Sequence, residues 1–230
     1  MQNKEQFIKQ LRNGLIVSCQ ALPHEPLYGG DIMAKMATAA WQGGAVGIRA
    51  NGEADIRAIR KTVTLPIIGI DKDGDIGVYI TPTFNHARRV VEAGADIVAL
   101  DATTRARPDG SNVSELIERI HTDLDRLVMA DISTLEEALA AEAAGADFVA
   151  PTLAGYTPYS RQLTGPDFEL LRTMVATVKI PVIAEGRIMT PDDAWMALAY
   201  GALAVVVGGA ITRPQLITAR FVERLRDPQS

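Results

Sequence analysis

The sequence contains little cysteine, little histidine and few aromatic residues, and it has no long hydrophobic run. A single cysteine among 230 residues cannot form an internal disulfide, and the three histidines show no metal-ligand spacing, so we expect no metal. The longest apolar stretches, such as residues 202–207, are far shorter than the roughly 20 residues of a membrane span. The polar N-terminus lacks a signal-peptide core. These absences favour a cytoplasmic protein that does not associate with a membrane.

The charge of the chain argues against nucleic acid as a partner. The net charge is -5 and no dense run of lysine and arginine occurs, whereas nucleic-acid-binding surfaces are usually basic. Hydrophobic residues make up 47% of the chain, which is typical of a folded protein with a packed core. No linker rich in proline, glycine or serine interrupts the chain. We therefore predict a single domain over residues 1–230, with a helix over residues 1–13 and a first strand that begins near residue 15.

What the sequence does contain is a regular alternation of short apolar segments and helical patterns. Thr190 followed by Pro191 is typical of a helix start, because threonine caps the first turn and proline is tolerated at its first position. We expect left-handed glycines to end the helices that precede four of the apolar segments, at Gly44, Gly94, Gly145 and Gly201. The eight apolar segments span residues 15–20, 45–49, 66–71, 96–101, 127–131, 147–152, 181–186 and 203–208.

This alternation predicts an α/β fold. The apolar segments do not alternate between polar and apolar residues, which is typical of parallel strands that helices cover on the outside. Eight strand–helix units in a chain of this length favour a closed (β/α)8 barrel, the TIM barrel. A doubly wound open sheet is the alternative, but the turn after the first strand lacks the GxGxxG pattern that such a sheet usually carries there.

A (β/α)8 barrel places its chemistry at the C-terminal ends of the strands, which surround one mouth. A charged residue at the end of one apolar strand also serves simply to bring that strand into solvent. A whole ring of them is a stronger indication of a site, because the barrel brings all the strand ends together. The polar residues at the predicted strand ends are Gln20, Arg49, Asp71, Lys72, Asp101, Asp131, Thr152, Glu185 and Arg187.

Glycines after the last two strands indicate a phosphate site. Barrels often bind phosphate in the loops after strands seven and eight, and here these strands end in Gly186-Arg187 and Gly208-Gly209. Glycine lets backbone N–H groups approach an anion closely, and Arg187 or Arg213 would add a charged contact. The alternative is that Gly208-Gly209 only forms a tight turn. No P-loop occurs, so a phosphorylated metabolite is a better candidate ligand than a nucleotide.

Lys72 and Glu185 are the candidate catalytic residues. They follow strands three and seven, which lie on opposite sides of an eight-stranded barrel, so the two side chains would flank one ligand. A desolvated lysine acts as a base or forms a Schiff base, and a carboxylate opposite it acts as an acid or base. The neighbouring Asp71 and Asp73 oppose a lowered lysine pKa, and a solvated surface lysine is the alternative interpretation.

Several segments in order resemble one known family. The resemblance begins in the first predicted strand and runs through all eight units to about Arg213, and linked motifs in order are far more specific than any one of them. The segments resemble those of the N-acetylmannosamine-6-phosphate 2-epimerases at residues 14–20, 69–72, 78–83, 95–103, 152–157, 182–187 and 207–214. The chain departs from that family at two positions, where Asp73 replaces a frequent basic residue and Gly209 a frequent serine.

The resemblance implies a barrel enzyme of sialic acid catabolism that interconverts N-acetylmannosamine 6-phosphate and N-acetylglucosamine 6-phosphate. It implies no metal and no organic cofactor, a phosphorylated N-acetylhexosamine as substrate, and a homodimer. By motif position, the family's catalytic groups fall on Lys72 and Glu185. Its substrate contacts fall on Gln20, Arg49 and Asp131, and its phosphate contacts on Gly186, Gly208, Gly209 and Arg213.

The expected chemistry is removal and return of the proton at C2 of the open-chain sugar, next to the C1 carbonyl, by Lys72 and Glu185. The sequence leaves open which residue removes the proton and whether Glu185 instead assists ring opening. Three alternatives also remain: another phosphosugar epimerase or phosphate-binding barrel enzyme, a lysine-dependent lyase, and a non-catalytic phosphosugar-binding barrel. A ribulose-phosphate epimerase of the usual kind would carry histidine at its strand ends, and these strand ends have none.

Overall fold

Parallel strands alternate with helices throughout the computed structural model, which describes residues 4–226. The strands are β1 (Gly14–Cys19), β2 (Gly47–Asn51), β3 (Ile67–Ile70), β4 (Ile97–Asp101), β5 (Leu127–Asp131), β6 (Phe148–Ala150), β7 (Ile183–Ala184) and β8 (Ala204–Val207). The helices are α1 (Lys4–Leu11), α2 (Gly30–Gln42), α3 (Glu53–Arg60), α4 (Phe84–Ala93), α5 (Val113–Leu124), α6 (Leu135–Ala143), α7 (Phe168–Thr177), α8 (Pro191–Ala199), α9 (Gly209–Thr212) and α10 (Pro214–Arg226).

The strands close into a barrel. Their order in the sheet is β6-β5-β4-β3-β2-β1-β8-β7, with every neighbouring pair parallel. A parallel bridge between Val149 and Val182 then joins β6 to the segment that leads into β7. The predicted (β/α)8 barrel is therefore confirmed. In this ring β3 and β7 lie on opposite sides.

The strands are apolar throughout because both of their faces are buried. On β4, Ile97 and Ala99 belong to the cluster that fills the barrel, whereas Val98 and Leu100 belong to the cluster between the sheet and the helices. Successive residues of a strand point to opposite faces, so a strand covered on both sides shows no polar–apolar alternation. This burial accounts for the unbroken apolar segments of the sequence.

Helix α1 fills the N-terminal end of the barrel. Leu11 is fully buried within the interior cluster, and Phe7 and Ile8 pack against the same cluster. The hydrophobic face of this short helix therefore closes the N-terminal end of the barrel. The opposite end of the barrel, at the C-terminal ends of the strands, is the end that remains open to a ligand.

The element boundaries follow local backbone chemistry. The hydroxyl of Thr190 accepts from the N–H of Asp193, with Pro191 first in α8, as predicted. The four predicted helix-ending glycines all have left-handed φ values, for example 110° at Gly94, where only glycine avoids a steric cost. Strand β2 is shifted by two residues from its predicted position: it begins at Gly47 instead of residue 45, and it ends at Asn51 instead of Arg49.

Helix α10 packs differently from the other long helices. None of its residues is buried, and Phe221 and Leu225 are 69% and 79% exposed. Trp195 on α8 is also 69% exposed. Within residues 4–226, no helix combines the length and apolar character that crossing a membrane requires.

Candidate active site

A cavity of about 380 Å³ lies at the C-terminal ends of the strands. Its volume falls within the range of small-molecule sites, ~300–1,000 Å³. Nine of the ten residues predicted for catalysis or substrate binding line this cavity: Gln20, Arg49, Lys72, Glu185, Gly186, Arg187, Gly208, Gly209 and Arg213. The tenth, Asp131, is fully buried beneath the cavity and does not line it.

Arg49 organises the floor of the cavity. Its side chain is 1% exposed, and its Nη1 and Nη2 donate to the two carboxylate oxygens of Asp131 at 3.1 and 2.5 Å. Nη1 also donates to Oε2 of Glu185 at 2.7 Å. Arg49, Asp131 and Glu185 come from β2, β5 and the end of β7, so one guanidinium links three parts of the ring. Bidentate pairing of this kind fixes an arginine in one orientation.

Asp131 supports Arg49 and does not face the ligand space. The carboxylate is fully buried, and the hydroxyl of Thr152 donates to the same oxygen that accepts from Arg49 Nη1, at 2.6 Å. Three donors therefore occupy its two oxygens. Asp131 is therefore linked to the cavity through the Arg49 guanidinium, and its direct contact with a substrate stays a prediction.

Glu185 combines burial with a neighbouring cation. Burial raises the pKa of its carboxyl group, and Asp131 acts in the same direction, whereas the Arg49 guanidinium and Lys72 oppose the rise. The raised pKa lets this carboxyl group hold a proton at higher pH than an ordinary glutamic acid does. A group of this kind can both give and take a proton near neutral pH.

Lys72 has a lowered pKa of about 8. Burial is the main cause, and the positive charges of Arg49 and Arg213 add to it, while Glu185 and Asp131 oppose it. The backbone of Lys72 is held in place, because its N–H donates to Oδ1 of Asn51 at 2.9 Å. A lysine with this pKa is neutral in about one molecule in ten at pH 7, far more often than an ordinary lysine, and the neutral form is the one that a base or a nucleophile requires.

The two aspartates beside Lys72 turn away from the cavity. Asp71 accepts from Nε and Nη2 of Arg89 at 2.9 and 2.6 Å, on the outer side of the loop. Asp73 is exposed and lies 3.4 Å from Nε2 of His86. These contacts explain why neither carboxylate cancels the lowered pKa of Lys72.

Backbone glycines and Arg213 form the end of the cavity beside β8. Gly208 sits where an added Cβ would lie 3.3 Å from Cβ of Ser18, so a side chain there would be tight. An added Cβ at Gly209 would meet nothing closer than 3.5 Å, so that position accepts a side chain. Arg213 pairs with Glu25, with Nε 2.9 Å from Oε1. This end therefore offers backbone N–H groups and one arginine.

Arg187 lines the cavity but is tied to the chain beside it. Its Nε donates to the carbonyl of Gly165 at 2.8 Å and its Nη1 to that of Ala154 at 2.5 Å. The guanidinium also lies over the ring of Tyr156, 5.5 Å from the centroid. Its φ of 53° is unusual for a residue other than glycine. These contacts favour a role in holding the loop after β6 over a direct phosphate contact.

Two strand-end residues of the predicted ring lie outside the site. Asp71 pairs with Arg89, as described, and Asp101 is fully buried where Thr103 and Arg105 donate to it. Sequence reasoning also missed residues that the structure brings to the cavity. Tyr79 and Tyr156 line it, and both lie in loops where no periodic pattern marks them. In the described part of the chain, no group of three His, Cys, Asp or Glu side chains is arranged to hold a metal ion.

Comparison with known proteins places the chain in one family. The sequence model of the family described as "Putative N-acetylmannosamine-6-phosphate epimerase" matches residues 33–227. A protein of Caldanaerobacter subterraneus subsp. tengcongensis, named as a putative N-acetylmannosamine-6-phosphate 2-epimerase, is 55% identical over 224 residues, which cover 96% of this chain and 94% of that protein. A similarly named protein of Clostridium perfringens is 54% identical over 218 residues, covering 94% of this chain and 98% of that protein.

Solved structures agree with this placement. The N-acetylmannosamine-6-phosphate 2-epimerase from Clostridium perfringens superposes with a TM-score of 0.91 at 53% identity, over 94% of this chain and 95% of that one. A thiamine phosphate pyrophosphorylase from Pyrococcus furiosus, at 22% identity and a TM-score of 0.58 over 89% of each chain, shares the fold. From these matches, the chain belongs to the N-acetylmannosamine-6-phosphate epimerase family.

Proposed function

We propose that this protein interconverts N-acetylmannosamine 6-phosphate and N-acetylglucosamine 6-phosphate by removing and returning the proton at C2. One observation carries the proposal: Lys72 and Glu185, with pKa values shifted toward neutrality, face one cavity from opposite sides of the barrel. The name of the family supports the same substrate, and the glycine-lined end of the cavity suits a phosphate group.

The chemistry requires an acid and a base on opposite faces of C2. In the open-chain sugar, neutral Lys72 takes the C2 proton, and the electrons of the C–H bond move toward the C1 carbonyl to form an enolate. Protonated Glu185 then returns a proton to the other face of C2, which inverts the centre. In the reverse direction the two residues exchange roles. The Lys72 cation formed in the first step, with Arg49 nearby, stabilises the enolate charge.

The rest of the cavity holds the substrate in place. The N–H groups around Gly186, Gly208 and Gly209 take the phosphate together with Arg213, while Gln20 and Arg49 contact the sugar. Anchoring the phosphate leaves C2 between the two catalytic groups. Phosphorylated sugars do not cross membranes freely, so this activity belongs in the cytoplasm.

An exchange experiment tests the proposal. Incubation with N-acetylmannosamine 6-phosphate in deuterated water should yield N-acetylglucosamine 6-phosphate with deuterium at C2, followed by NMR. Lys72→Ala should lower kcat by about 10²- to 10⁴-fold, the usual contribution of an acid–base group, and should not wash deuterium into C2. Glu185→Gln should lose turnover but still bind the phosphosugar. Near-normal turnover and exchange in Lys72→Ala would show that Lys72 is a surface lysine and that this mechanism is wrong.

The lowered pKa of Lys72 also favours a second candidate function, that of a lysine-dependent lyase. Such an enzyme would form a Schiff base between the Lys72 amine and a carbonyl of its substrate. Borohydride treatment in the presence of N-acetylmannosamine 6-phosphate separates the two functions, because it would attach the sugar covalently to a lyase and leave an epimerase unmodified.

We also propose that the enzyme is a homodimer in which α10 lies against a second copy of the chain. The helix carries exposed Phe221 and Leu225, and it buries none of its residues against its own barrel. Helices that expose this much apolar surface usually pack against a partner.

A further inference from the structure

We propose that Glu25 is a positioning residue that orients Arg213 for the phosphate group of the substrate. Glu25 lies in the loop between β1 and α2, and Arg213 lies directly after α9. The inference rests on the proposed function in one respect, namely that the ligand carries a phosphate. It concerns how the arginine is held, which neither the family resemblance nor the cavity lining specifies.

Three hydrogen bonds and one further ion-pair contact converge on the carboxylate of Glu25. Oε1 lies 2.9 Å from Nε of Arg213 and accepts from Nε2 of Gln215 at 3.0 Å. Oε2 accepts from the backbone N–H of Leu22 at 2.7 Å and from Nη2 of Arg213 at 3.2 Å. The carboxylate is nearly buried, with 12% of its side chain exposed. Such a carboxylate is fixed in one position and its charge is largely matched.

This arrangement presents one edge of Arg213 to the ligand. Glu25 occupies the Nε and Nη2 side of the guanidinium, while Arg213 lines the cavity. The Nη1 group, with two N–H donors, is the part that Glu25 leaves available to an anion. A carboxylate would ordinarily repel a phosphate nearby. Here it prearranges a flexible arginine, so less side-chain entropy is lost when the phosphate binds.

The same carboxylate joins two segments that contact the ligand. Through Leu22 it fixes the loop that begins at Gln20, and through Gln215 it fixes the first turn of α10. Gln20, which follows β1, and Arg213, which follows the neighbouring strand β8 and the short helix α9, both line the cavity. Loss of Glu25 would therefore loosen the phosphate end of the site without removing any group that touches the reacting carbon.

The experiment compares wild type with Glu25→Gln, Glu25→Asp, Arg213→Met and the double variant Glu25→Gln/Arg213→Met. Calorimetric titration with inorganic phosphate measures anion affinity independently of turnover. Steady-state kinetics with N-acetylmannosamine 6-phosphate separates KM from kcat. Glu53→Gln is the matched control, because Glu53 forms a similar ion pair with Arg57 on the exposed surface of α3. Thermal unfolding shows whether each variant is folded and as stable as wild type.

Glu25→Gln should weaken phosphate binding and raise KM by about three- to tenfold with little change in kcat, the effect expected when an ordered arginine becomes mobile. Glu25→Asp keeps the charge but shortens the reach, so it should weaken binding as well. In the Arg213→Met background, Glu25→Gln should have no further effect, because its partner is gone. The control should behave as wild type.

Other outcomes overturn the proposal. Tighter phosphate binding in Glu25→Gln would mean that Glu25 mainly repels the anion. An unchanged affinity in both Glu25 variants, or an equal loss with and without Arg213, would mean that it does not act through the arginine. Wild type that fails to bind phosphate would remove the basis of the inference. If the phosphate affinities of wild type and variants follow the expected pattern but wild type does not epimerise N-acetylmannosamine 6-phosphate, the positioning role stands and the proposed function fails.

Discussion

In the proposed mechanism, Lys72 and Glu185 must share one proton for the reaction to run in both directions. When both are protonated there is no base, and when both are deprotonated there is no acid, so activity needs an intermediate pH. The pKa of about 8 at Lys72 sets the upper limit, and the raised pKa of Glu185 sets the lower one. In this mechanism the pair, and not either residue alone, determines the pH range of activity.

We therefore expect a bell-shaped plot of kcat/KM against pH that falls above pH about 8. Arg213 contributes a positive charge that lowers the pKa of Lys72. Its removal in Arg213→Met should raise that pKa and move the alkaline fall of kcat/KM to higher pH. The measurement is kcat/KM across the pH range for both proteins. An alkaline limb that stays in place in the variant would contradict the assignment of this limb to Lys72.

Gly209 is a position where a side chain can be added. The space around an added Cβ is sufficient for serine, the residue that the family resemblance leads us to expect there. We expect Gly209→Ser to fold normally and to lower KM for the phosphosugar by about two- to tenfold, because the hydroxyl can donate to the phosphate. Gly209→Ala is the control, since it adds the Cβ without the hydroxyl. Equal KM values for the serine and alanine variants would exclude such a contact.

At the level of elements, the segment after β3 carries Lys72 on a short hairpin. Lys72 and Ile80 form an antiparallel bridge, and Thr81 follows with a φ of 46°. A left-handed conformation is costly for a β-branched residue, so the contacts of Thr81 must hold it there. Its buried hydroxyl donates to the carbonyl of Ala99 at 2.7 Å and accepts from the N–H of Asp71 at 3.1 Å.

Thr81→Val keeps the shape of this side chain but removes both hydrogen bonds. We expect it to reduce the free energy of unfolding by about 1–3 kcal/mol, the usual cost of leaving buried polar groups unpaired. Because Asp71 precedes Lys72, kcat should fall as well. Thr81→Ser retains the hydroxyl and should retain most of the activity. The test is urea unfolding together with kcat for both variants, and a valine variant with wild-type stability would refute this role.

The sequence was informative about elements and less so about contacts between loops. The strands could be predicted because burial on both faces makes them continuously apolar, and glycines such as Gly94 mark helix ends by their backbone requirement. The contact between Asn51 and the backbone of Lys72 depends on where β2 ends, which the pattern misplaced by two residues. The pairing of Glu25 with Arg213 joins residues 188 positions apart, and no local periodicity encodes it.

For the whole molecule, the prediction concerns assembly. Phe221 lies on the exposed apolar side of α10, so Phe221→Asp would place a charge in the proposed dimer contact. We expect this variant to be a monomer in light scattering, whereas Glu223→Gln on the same helix should remain a dimer. A monomeric wild type, or a dimeric Phe221→Asp, would contradict the proposed contact.

The closed N-terminal end of the barrel has a kinetic consequence. Because Leu11 and its helix fill that end, a sugar enters and leaves by the mouth that the other sugar also uses. Substrate and product differ only at C2, so each occupies the same anchoring groups and excludes the other. As the mixture approaches equilibrium, accumulated product should therefore act as a competitive inhibitor of the forward reaction. Net flux in one direction then depends on another enzyme that draws the product away.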